Sequence, residues 1–448
     1  MSHGYGRGRR FHWQRLRGIF TLRPSSRSRG RMKHCVVIGG GVVGLTTAWA
    51  LLQRGHGVTL VEREADVAQG ASRANGGQLS YRYVSPLADA GVPLKALRWL
   101  TDPDGPLRFK PEASWAQWSW LLAFLRNCRG PVNRRTTERL LALGAYSQQS
   151  FARLHAEAAL GDVIALRTPG KLVVYRQPAE FARVAARVKG GGAEQALSHD
   201  DCVALEPALA QFEEGEATLA GGIFTPGEAV ADCHAFCLAL HERLLSHAHF
   251  RGRLAMPVEG LQRDARGSVT GVQTELGEVG ADAVVLAAGL HSRALAAAVG
   301  VKLPLYPLKG YSLTAPIQAG HRPPEVSVTD FEKKILYARI GSELRVAAMV
   351  DLVGDDLSLD AERLASLQRS VRATFPNAAD YDRATPWAGL RPATPSGAPI
   401  LGASGVPGLW LNVGHGALGF TFSFATADIV AELVTGRASP LPLDGLTL

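Results

Sequence analysis

The sequence has few cysteines and few aromatic residues, and it lacks a long hydrophobic run. Its five cysteines among 448 residues include no Cys-x-x-Cys pair, which excludes a disulfide scaffold and favours a reducing cytoplasmic compartment. No uninterrupted apolar run approaches the roughly 18 residues that a membrane-spanning helix needs. We therefore expect a globular cytoplasmic protein whose contact with a membrane, if it has one, is peripheral.

Acidic residues are missing from the first 31 positions, which carry nine arginines and no lysine. The rest of the chain has 40 basic and 40 acidic residues, so its formal charge is zero and we expect no nucleic-acid partner. The composition of residues 1–31 predicts a disordered basic extension, with Met32 as an alternative start. Arg9-Arg10 is not followed by an apolar segment, so an export signal is not expected.

Several catalytic classes lack their characteristic residues. The segment beginning His241-Glu242 has no second histidine for a zinc-protease helix, and the sequence contains no Gly-x-Ser-x-Gly elbow. It also contains no Gly-x-x-x-x-Gly-Lys phosphate loop. Hydrolase and nucleotide-triphosphatase functions are therefore disfavoured.

The most informative segment begins at Cys35. A β-branched run, Cys35–Ile38, leads directly into Gly39, Gly41 and Gly44 in the pattern G-x-G-x-x-G, followed by a helical pattern over 45–53 and a second strand over 58–61. Such glycines permit a tight turn and let a helix N-terminus approach a pyrophosphate. This order predicts a Rossmann-like dinucleotide site.

Glu62 closes the second strand, where a carboxylate can accept two ribose hydroxyls and would repel a 2′-phosphate, so NADP is disfavoured. The polar loop over 71–80 suits a dinucleotide that continues past its pyrophosphate towards a ring system. An ordinary surface loop has the same composition. NAD and FAD both remain open at this point.

A second glycine loop lies near the C-terminus. Residues 411–420 are typical of a strand, a glycine loop and a helix start, an arrangement that can direct backbone N–H groups and a positive helix end at a ring that becomes anionic on reduction. The buried-strand pattern over 283–289 is expected to join the same sheet. The nucleotide domain is therefore discontinuous.

The segments between these pieces have a different character. Lys171–Arg176, Leu303–Thr314, Lys334–Ile340 and Glu343–Met349 alternate or run apolar like antiparallel strands, which predicts a second domain with a broad sheet. Apolar residues also recur at helical spacing from Trp115 to Leu125. This helix is expected to pack on the protein's own core, and the alternative is a face that lies on a membrane.

Taken together, the segments resemble the D-amino-acid oxidase superfamily of FAD oxidoreductases, and within it the bacterial D-amino acid dehydrogenases of the small-subunit type. The resemblance runs from Met32 to about Gly436 and includes 91–96, 306–312, the Gly-Leu-Arg-Pro segment at 389–392, and 414–419. It departs from the family pattern at Ser396, Ala417, Phe420 and the loop 79–83.

The resemblance implies an α/β fold with a discontinuous Rossmann-like FAD-binding domain and a substrate domain with a large mixed or antiparallel sheet. The FAD-binding domain is expected at 32–85, 195–302 and 385–448, and the substrate or cap domain at 86–194 and 303–384. The implied cofactor is noncovalent FAD. The expected cofactor contacts are Gly39, Gly41, Val43, Gly44, Glu62, Arg63, Ser72, Asn75, Gly76, Gln78, Val258, Ala287, Gly289, Gly414, Gly416, Ala417, Leu418 and Gly419.

The resemblance also implies the reaction, in which the Cα hydrogen of a D-amino acid moves as hydride to flavin and water releases a 2-oxo acid and ammonia. Arg391 matches the superfamily arginine that forks onto the substrate carboxylate, a geometry that lysine cannot provide. Tyr311 is expected to act as a substrate lid or polar contact. His415 is a candidate catalytic residue, although its position between two glycines favours a role through its backbone.

The electrons are expected to pass to a quinone or another respiratory acceptor, which would bring the enzyme to the inner face of the cytoplasmic membrane. Two alternatives remain. The altered loop at Tyr81–Tyr83 would suit a cyclic imino acid such as cis-4-hydroxy-D-proline, and a different class would be an RNA-modifying flavoprotein or a noncatalytic FAD-binding subunit. The neutral body argues against RNA, and Arg391 in its motif argues against loss of catalysis.

Overall fold

The structure is a computed structural model that describes residues 32–102, 104–188, 193–214 and 219–448. The prediction of disorder for residues 1–31 lies outside the described residues.

The strands, in chain order, are β1 (His34–Ile38), β2 (Gly57–Glu62), β3 (Gln78–Leu79), β4 (Leu107–Phe109), β5 (Lys171–Tyr175), β6 (Gln195–Leu197), β7 (Gly221–Thr225), β8 (Ala229–Val230), β9 (Phe250–Ala255), β10 (Val258–Arg263), β11 (Val269–Thr274), β12 (Gly277–Gly280), β13 (Ala283–Leu286), β14 (Tyr306–Pro316), β15 (Ser327–Asp330), β16 (Ile335–Ile340), β17 (Glu343–Leu352), β18 (Thr385–Ala393), β19 (Ile400–Ala403) and β20 (Leu409–Val413). The α-helices are α1 (Val42–Gln53), α2 (Val92–Thr101), α3 (Trp115–Asn127), α4 (Gly130–Ala158), α5 (Pro178–Val188), α6 (His199–Leu205), α7 (Gln211–Glu214), α8 (Cys233–Leu245), α9 (Ser292–Ala297), α10 (Ala361–Thr374) and α11 (Gly419–Val434). Short 3₁₀ turns cover Gly161–Ile164, Pro207–Ala210, Gly289–His291, Tyr381–Arg383 and Gly416–Leu418.

The first sheet has the order β19-β20-β13-β1-β2-β9. All of its neighbours pair in parallel except β19, which is antiparallel to β20. The central strand β1 is flanked on both sides, so its β-branched residues are buried, as a parallel sheet covered on both faces requires. The α/β fold with a discontinuous nucleotide domain is confirmed.

Helices α1, α8, α4 and α11 cover one face of this sheet and share one hydrophobic core with it. Helix α11 is buried along most of its length because α1 and α4 pack against it. The stretch Gly416–Val434 is apolar and long enough to cross a membrane, with a mean hydropathy of 1.5, but 67% of it is buried inside the protein. We interpret it as a core helix.

The larger sheet has nine strands in the order β18-β14-β17-β16-β15-β5-β7-β6, with β4 added beside β17. It is mixed, because β15 pairs with β5 in parallel and β4 with β17 in parallel, whereas the other pairs are antiparallel. Helix α10 packs on one face of it through Leu367 and Val371. The opposite face is turned towards the loop that follows β2.

Several elements pack with a different domain from the one expected from the sequence. Strands β6, β7 and β18 fall within segments predicted to belong to the FAD-binding domain, but they pair in the larger sheet. Helix α4 falls within the predicted substrate domain, but Leu140, Leu143 and Phe151 belong to the core around α1 and α11. The sequence of a short strand or an amphipathic helix does not indicate which sheet or core it joins. Its domain is determined by contacts with residues that are remote in the sequence.

The expectation that the apolar stripe of α3 packs on the core is wrong for most of the stripe. Trp115 is 80% exposed, and Trp118, Leu122 and Leu125 are also exposed. A different face of α3 makes the core contact, with Trp120 at its centre. Helical spacing shows that a stripe exists, but it does not show whether the stripe faces inwards.

Candidate active site

The turn after β1 is built from glycines that admit no side chain. Gly39 has a φ of +113°, and a Cβ there would lie 2.6 Å from the carbonyl oxygen of Ala287. A Cβ at Gly44 would overlap the carbonyl oxygen of Gly39, because helix and turn are in direct contact. These two glycines are therefore required for the tight turn and for the close packing of α1 on β1.

The N-terminus of α1 is left open to an anion. No side chain caps the helix at Gly41, and its first turn contains no acidic residue. The amide of Val42 donates to the Ser72 hydroxyl at 3.0 Å, which ties the turn to the loop after β2. The N–H groups of the first turn that remain without a side-chain acceptor, at the positive end of the helix dipole, can bind a pyrophosphate.

Glu62 is fixed at the carboxyl end of β2. Its Oε2 accepts from the Gly40 amide at 2.5 Å, and its Oε1 accepts from the Glu64 amide at 3.0 Å. Each oxygen keeps a further lone pair, so the carboxylate can still accept ribose hydroxyls. The adjacent Arg63 forms an ion pair with Glu64 at 3.0 Å and has a half-exposed side chain.

The other residues predicted for the nucleotide end lie beside this turn. Ala287 and Gly289 follow β13, which pairs with β1, and Gly289 has a positive φ of +55°. Val43 lies in the first turn of α1, and Val258 begins β10 and packs against the core that contains Val61. The sheet topology thus brings them to the carboxyl edge of β1, β2 and β13, where dinucleotides bind in open α/β sheets.

The loop at 70–78 crosses the free face of the larger sheet. The Ser312 hydroxyl donates to the carbonyl of Ala74 at 2.8 Å, and the Arg345 guanidinium donates to the carbonyl of Asn75 at 2.8 Å. A Cβ at Gly76 would lie 3.1 Å from the Leu336 side chain, so the backbone rests on the sheet. The loop therefore joins the nucleotide turn to the strands of the substrate domain.

The side-chain amide of Gln78, a predicted flavin contact, is turned into the larger sheet. It donates to the Ser327 hydroxyl and accepts from Lys171 Nζ at 2.5 Å. A flavin contact from Gln78 would therefore involve its backbone or its methylene groups.

Lys171 is a buried cation on this side of the sheet that sequence reasoning missed. It is 2% exposed, donates to Ser80 at 3.2 Å as well as to Gln78, and lies over the Tyr83 ring at 4.4 Å. Burial lowers the pKa of its ammonium group to about 7, against the opposing charge of Glu228. The residues that Lys171 contacts are distant in sequence, so no local sequence pattern predicts that it is buried here.

Arg391 projects from β18 on the face that carries the 70–78 loop. It pairs with Leu308 across the strands, and its guanidinium occupies the space above Gly310, where a Cβ would overlap it. Its Nη1 donates to the carbonyl of Met349 at 2.8 Å. At this contact β17 has a register shift, and Met349 has a φ of +67°. This backbone conformation is energetically costly for a residue with a side chain, and it lies next to the predicted site.

No carboxylate among the described residues lies within ion-pair distance of the Arg391 guanidinium. The nearby Asp351 is paired instead with Arg363 at 2.6 Å, on the opposite side of the sheet. Burial lowers the pKa of Arg391 to about 10, with the charge of Asp351 acting in the other direction. The group remains a cation at neutral pH, and its planar fork is available to an anion from outside the chain.

The prediction for Tyr311 as a substrate lid or contact is wrong. Tyr311 follows Gly310 on β14, so its side chain points to the opposite face, where it is 2% exposed in the core beneath α10. The structure separates it from Arg391 by the thickness of the sheet. Neighbouring residues of a strand point to opposite faces of the sheet. Because Arg391 lies on the face of the candidate site, Tyr311 faces away from it.

His415 is also buried, at 3% exposure, and its Nε2 is 3.0 Å from the Thr426 hydroxyl of α11. Burial lowers the pKa of this imidazole to about 3, so it remains neutral and turned into the core. The placement argues against a catalytic imidazole. Its backbone forms an isolated bridge with Ala393, two residues from Arg391.

This bridge brings the second glycine loop to the site. Gly414 and Gly416 have positive φ values of +83° and +53°, and a Cβ at Gly414 would lie 2.6 Å from the Thr394 side chain. The loop continues through Ala417 and Leu418 into α11 at Gly419, with no side-chain cap and no acid in the first turn. An uncapped positive helix end therefore lies near Arg391, as a ring that becomes anionic would require.

The described residues include no cluster of histidine, cysteine or carboxylate side chains that could hold a metal ion. The groups that do converge are the glycine turn with Glu62, the 70–78 loop, the second glycine loop and Arg391. They fit an extended dinucleotide with a ring system at one end and an anionic group beyond the ring. FAD fits that description, and the residues that would hold it are those of the two glycine loops and Glu62.

Comparison with known proteins agrees with this geometry. The model of a family described as DAO, FAD dependent oxidoreductase, matches residues 34–433. D-amino acid dehydrogenase 2 of Pseudomonas aeruginosa is 50% identical over 414 residues, covering 92% of this chain and 97% of the relative. D-amino acid dehydrogenase 2 of Ralstonia nicotianae is 46% identical over 416 residues, covering 90% and 96%.

The fold is also found in solved structures. Glycine oxidase from Geobacillus kaustophilus superposes with a TM-score of 0.71 and 21% identity, over 93% of this chain and 98% of that one. Since the family model spans nearly the whole described chain, and relatives of 46% and 50% identity cover at least nine-tenths of it, the protein belongs to the DAO family of FAD-dependent oxidoreductases.

Proposed function

We propose that the protein is a D-amino acid dehydrogenase that oxidises D-amino acids to 2-oxo acids and ammonia. The two relatives at 50% and 46% identity are both named D-amino acid dehydrogenase 2, which supports this choice. The observation that carries the proposal is Arg391, a partly buried guanidinium without a carboxylate partner among the described residues. It lies two residues from the bridge between Ala393 and His415 that brings the second glycine loop to β18.

The chain's own residues would position the substrate through its carboxylate. A fork of two N–H donors from Arg391 matches the two carboxylate oxygens, and the Met349 carbonyl holds Nη1 so that the fork keeps one orientation. Fixing the carboxylate at the sheet would limit the orientations in which the Cα–H can be presented to the cofactor.

When bound, FAD would supply the two-electron acceptor for the Cα hydrogen. The substrate amine must be neutral for this transfer, and the resulting imino acid reacts with water to give the 2-oxo acid and ammonia. Neither His415 nor Tyr311 is placed to take a proton, so we expect the amine to lose its proton before the hydrogen is transferred. The positive end of α11 would favour the negative charge that reduction places on the ring.

We further propose that the electrons pass to a quinone or another respiratory acceptor, and that the enzyme works in the cytoplasm at the inner face of the cytoplasmic membrane. The word dehydrogenase in the relatives' names supports an acceptor other than oxygen. All five cysteines are free and buried, which suits a reducing compartment.

A substrate panel tests the proposal. Purified holoenzyme would be given D- and L-amino acids, glycine, sarcosine and hydroxyprolines, each with a short-chain quinone, an artificial dye or oxygen as acceptor. We expect D-amino acids to be preferred, with equal amounts of 2-oxo acid and ammonia formed and with quinone or dye more effective than oxygen. A preference for L-amino acids, or for cis-4-hydroxy-D-proline over linear D-amino acids, would contradict it.

A further inference from the structure

Helix α3 has an outward apolar face that stays largely exposed in the described structure. Trp115, Trp118, Leu122 and Leu125 lie at spacings of three and four, so they form one stripe, and their exposed fractions are 80, 44, 52 and 50%. We call these four residues the α3 stripe. Contiguous exposed apolar side chains of this size mark an interaction surface.

The opposite side of α3 is anchored next to the substrate site. The Trp120 indole is buried and donates to the carbonyl of Ala393 at 2.9 Å, two residues from Arg391 on β18. It packs with Tyr306 and Leu308, and Leu308 is the cross-strand partner of Arg391. Whatever contacts the α3 stripe is therefore separated from the substrate strand by a single helix.

The chain segment that contains the stripe is rich in basic residues. Residues 110–137 contain five basic residues and one acid, Glu112, in a body whose residues 32–448 are formally neutral. All five are exposed, and none forms an ion pair within the described part of the chain; they are Lys110, Arg126, Arg129, Arg134 and Arg135. Charge concentrated at the ends of an apolar stripe complements a surface that is both apolar and anionic.

We propose that the α3 stripe docks on an anionic lipid bilayer, with the tryptophans and leucines in the interfacial layer and the flanking arginines at the headgroups. Tryptophan favours that layer because its ring is apolar and its N–H is polar. The inference rests on the proposed function for the identity of the acceptor, a quinone dissolved in the bilayer. The docking itself requires no turnover.

The positive charge of the chain segment around the α3 stripe argues against two other binding partners. The first 31 residues carry nine arginines, so they would be repelled by the basic flanks. A second copy that placed the same face against itself would bring five unpaired cations on each side together. An anionic bilayer meets neither objection.

The test compares full-length variants for binding to lipid vesicles without substrate. The principal variant is Trp115→Ser/Leu122→Ser/Leu125→Ser, and Trp118 is kept because its indole donates to the Glu112 carbonyl at 2.9 Å. The matched control is Leu276→Ser, since Leu276 is 79% exposed on a distant β-turn. The charge variant is Arg126→Glu/Arg129→Glu, with Arg266→Glu as its control.

Binding is measured by cosedimentation with vesicles of phosphatidylglycerol and phosphatidylcholine, and with phosphatidylcholine alone. We expect the wild type to bind the anionic vesicles and the triple variant to bind them at least roughly tenfold more weakly. The difference should hold at low salt and also at about 0.5 M salt, where the charges of the N-terminal arginines are screened. The charge variant should bind anionic vesicles more weakly than the wild type at low salt, and should bind like the wild type at about 0.5 M salt, where the attraction between charges is screened. Flavin spectrum and dye-linked activity should be unchanged in every variant.

Three results would overturn the proposal: a wild type that does not bind anionic vesicles, a triple variant that binds them like Leu276→Ser, or a wild-type oligomer that the triple substitution dissociates while vesicle binding persists. The last would identify the α3 stripe as a contact between copies. An enzyme that fails on D-amino acids but binds vesicles through α3 would refute the proposed function and leave the docking surface standing.

Discussion

Arg391 owes its position to the absence of a side chain at Gly310. The guanidinium fills the space in which a Cβ at Gly310 would lie, and that space is open only because the β14 residue beside it is glycine. Gly310→Ala should push the guanidinium off the Met349 carbonyl and raise KM for D-amino acids by roughly tenfold or more. The displaced group is the end of a flexible side chain, so flavin content and Tm should change little.

The matched control for this variant is Gly260→Ala, a strand glycine with open space around its Cβ position. Steady-state kinetics and thermal unfolding would be measured on both variants. If Gly310→Ala kept the wild-type KM, the space above Gly310 would not orient Arg391. That result would contradict the proposal that a fixed Arg391 guanidinium binds the substrate carboxylate.

Lys171 should make stability depend on pH. Its pKa in the folded protein is about 7 and its ordinary value is 10.5, so between these values the unfolded chain holds a proton that the folded chain lacks. The free energy of unfolding should therefore rise with pH for the wild type relative to Lys171→Met, by about 2 kcal/mol from pH 7 to 9. Urea unfolding at both pH values measures this, with Lys302→Met as the exposed control. A difference that did not change with pH would show that Gln78, Ser80 and Glu228 stabilise the ammonium fully.

At the scale of elements, the important contact is that of the 70–78 loop with the larger sheet, because it couples the cofactor region to the substrate strands. Ser312→Ala removes the hydrogen bond to the Ala74 carbonyl without altering the core. We expect the Kd for FAD to rise about fivefold, the equivalent of about 1 kcal/mol. Titration of FAD into the apoprotein measures the Kd, and Ser246→Ala, on the exposed end of α8, is the control. An unchanged Kd for Ser312→Ala would mean that the loop is held without the sheet.

Elements also show what local sequence can and cannot predict. The strand before Gly39, the turn and α1 follow from adjacent residues, and their prediction is confirmed. The orientation of α3 and the face occupied by Tyr311 depend on which side of an element meets the rest of the protein. Periodicity identifies two faces of a strand or helix, but the partner that buries one of them is remote in sequence.

At the scale of the whole molecule, the candidate site forms because distant segments converge. The Arg391 guanidinium meets a carbonyl 42 positions away, and Lys171 meets an amide 93 positions away. Arg391 was predicted as a site residue only through the resemblance of its segment to a family motif, because its neighbours in the chain carry no independent signal of such a role. Gly310, Met349, Arg345 and Lys171 were missed because strand register alone brings them to the site.

The most direct test of the account is anaerobic reduction of the flavin in wild type and Arg391→Ala. With D-amino acids the variant should keep its flavin spectrum and reduce about 30-fold to several thousand-fold more slowly at limiting substrate, the equivalent of about 2 to 5 kcal/mol. Arg391→Lys should recover only part of the rate, and amines without a carboxylate should react equally slowly with both proteins. A variant that reduced its flavin with D-amino acids at the wild-type rate would show that Arg391 does not bind the carboxylate, and would contradict the central claim.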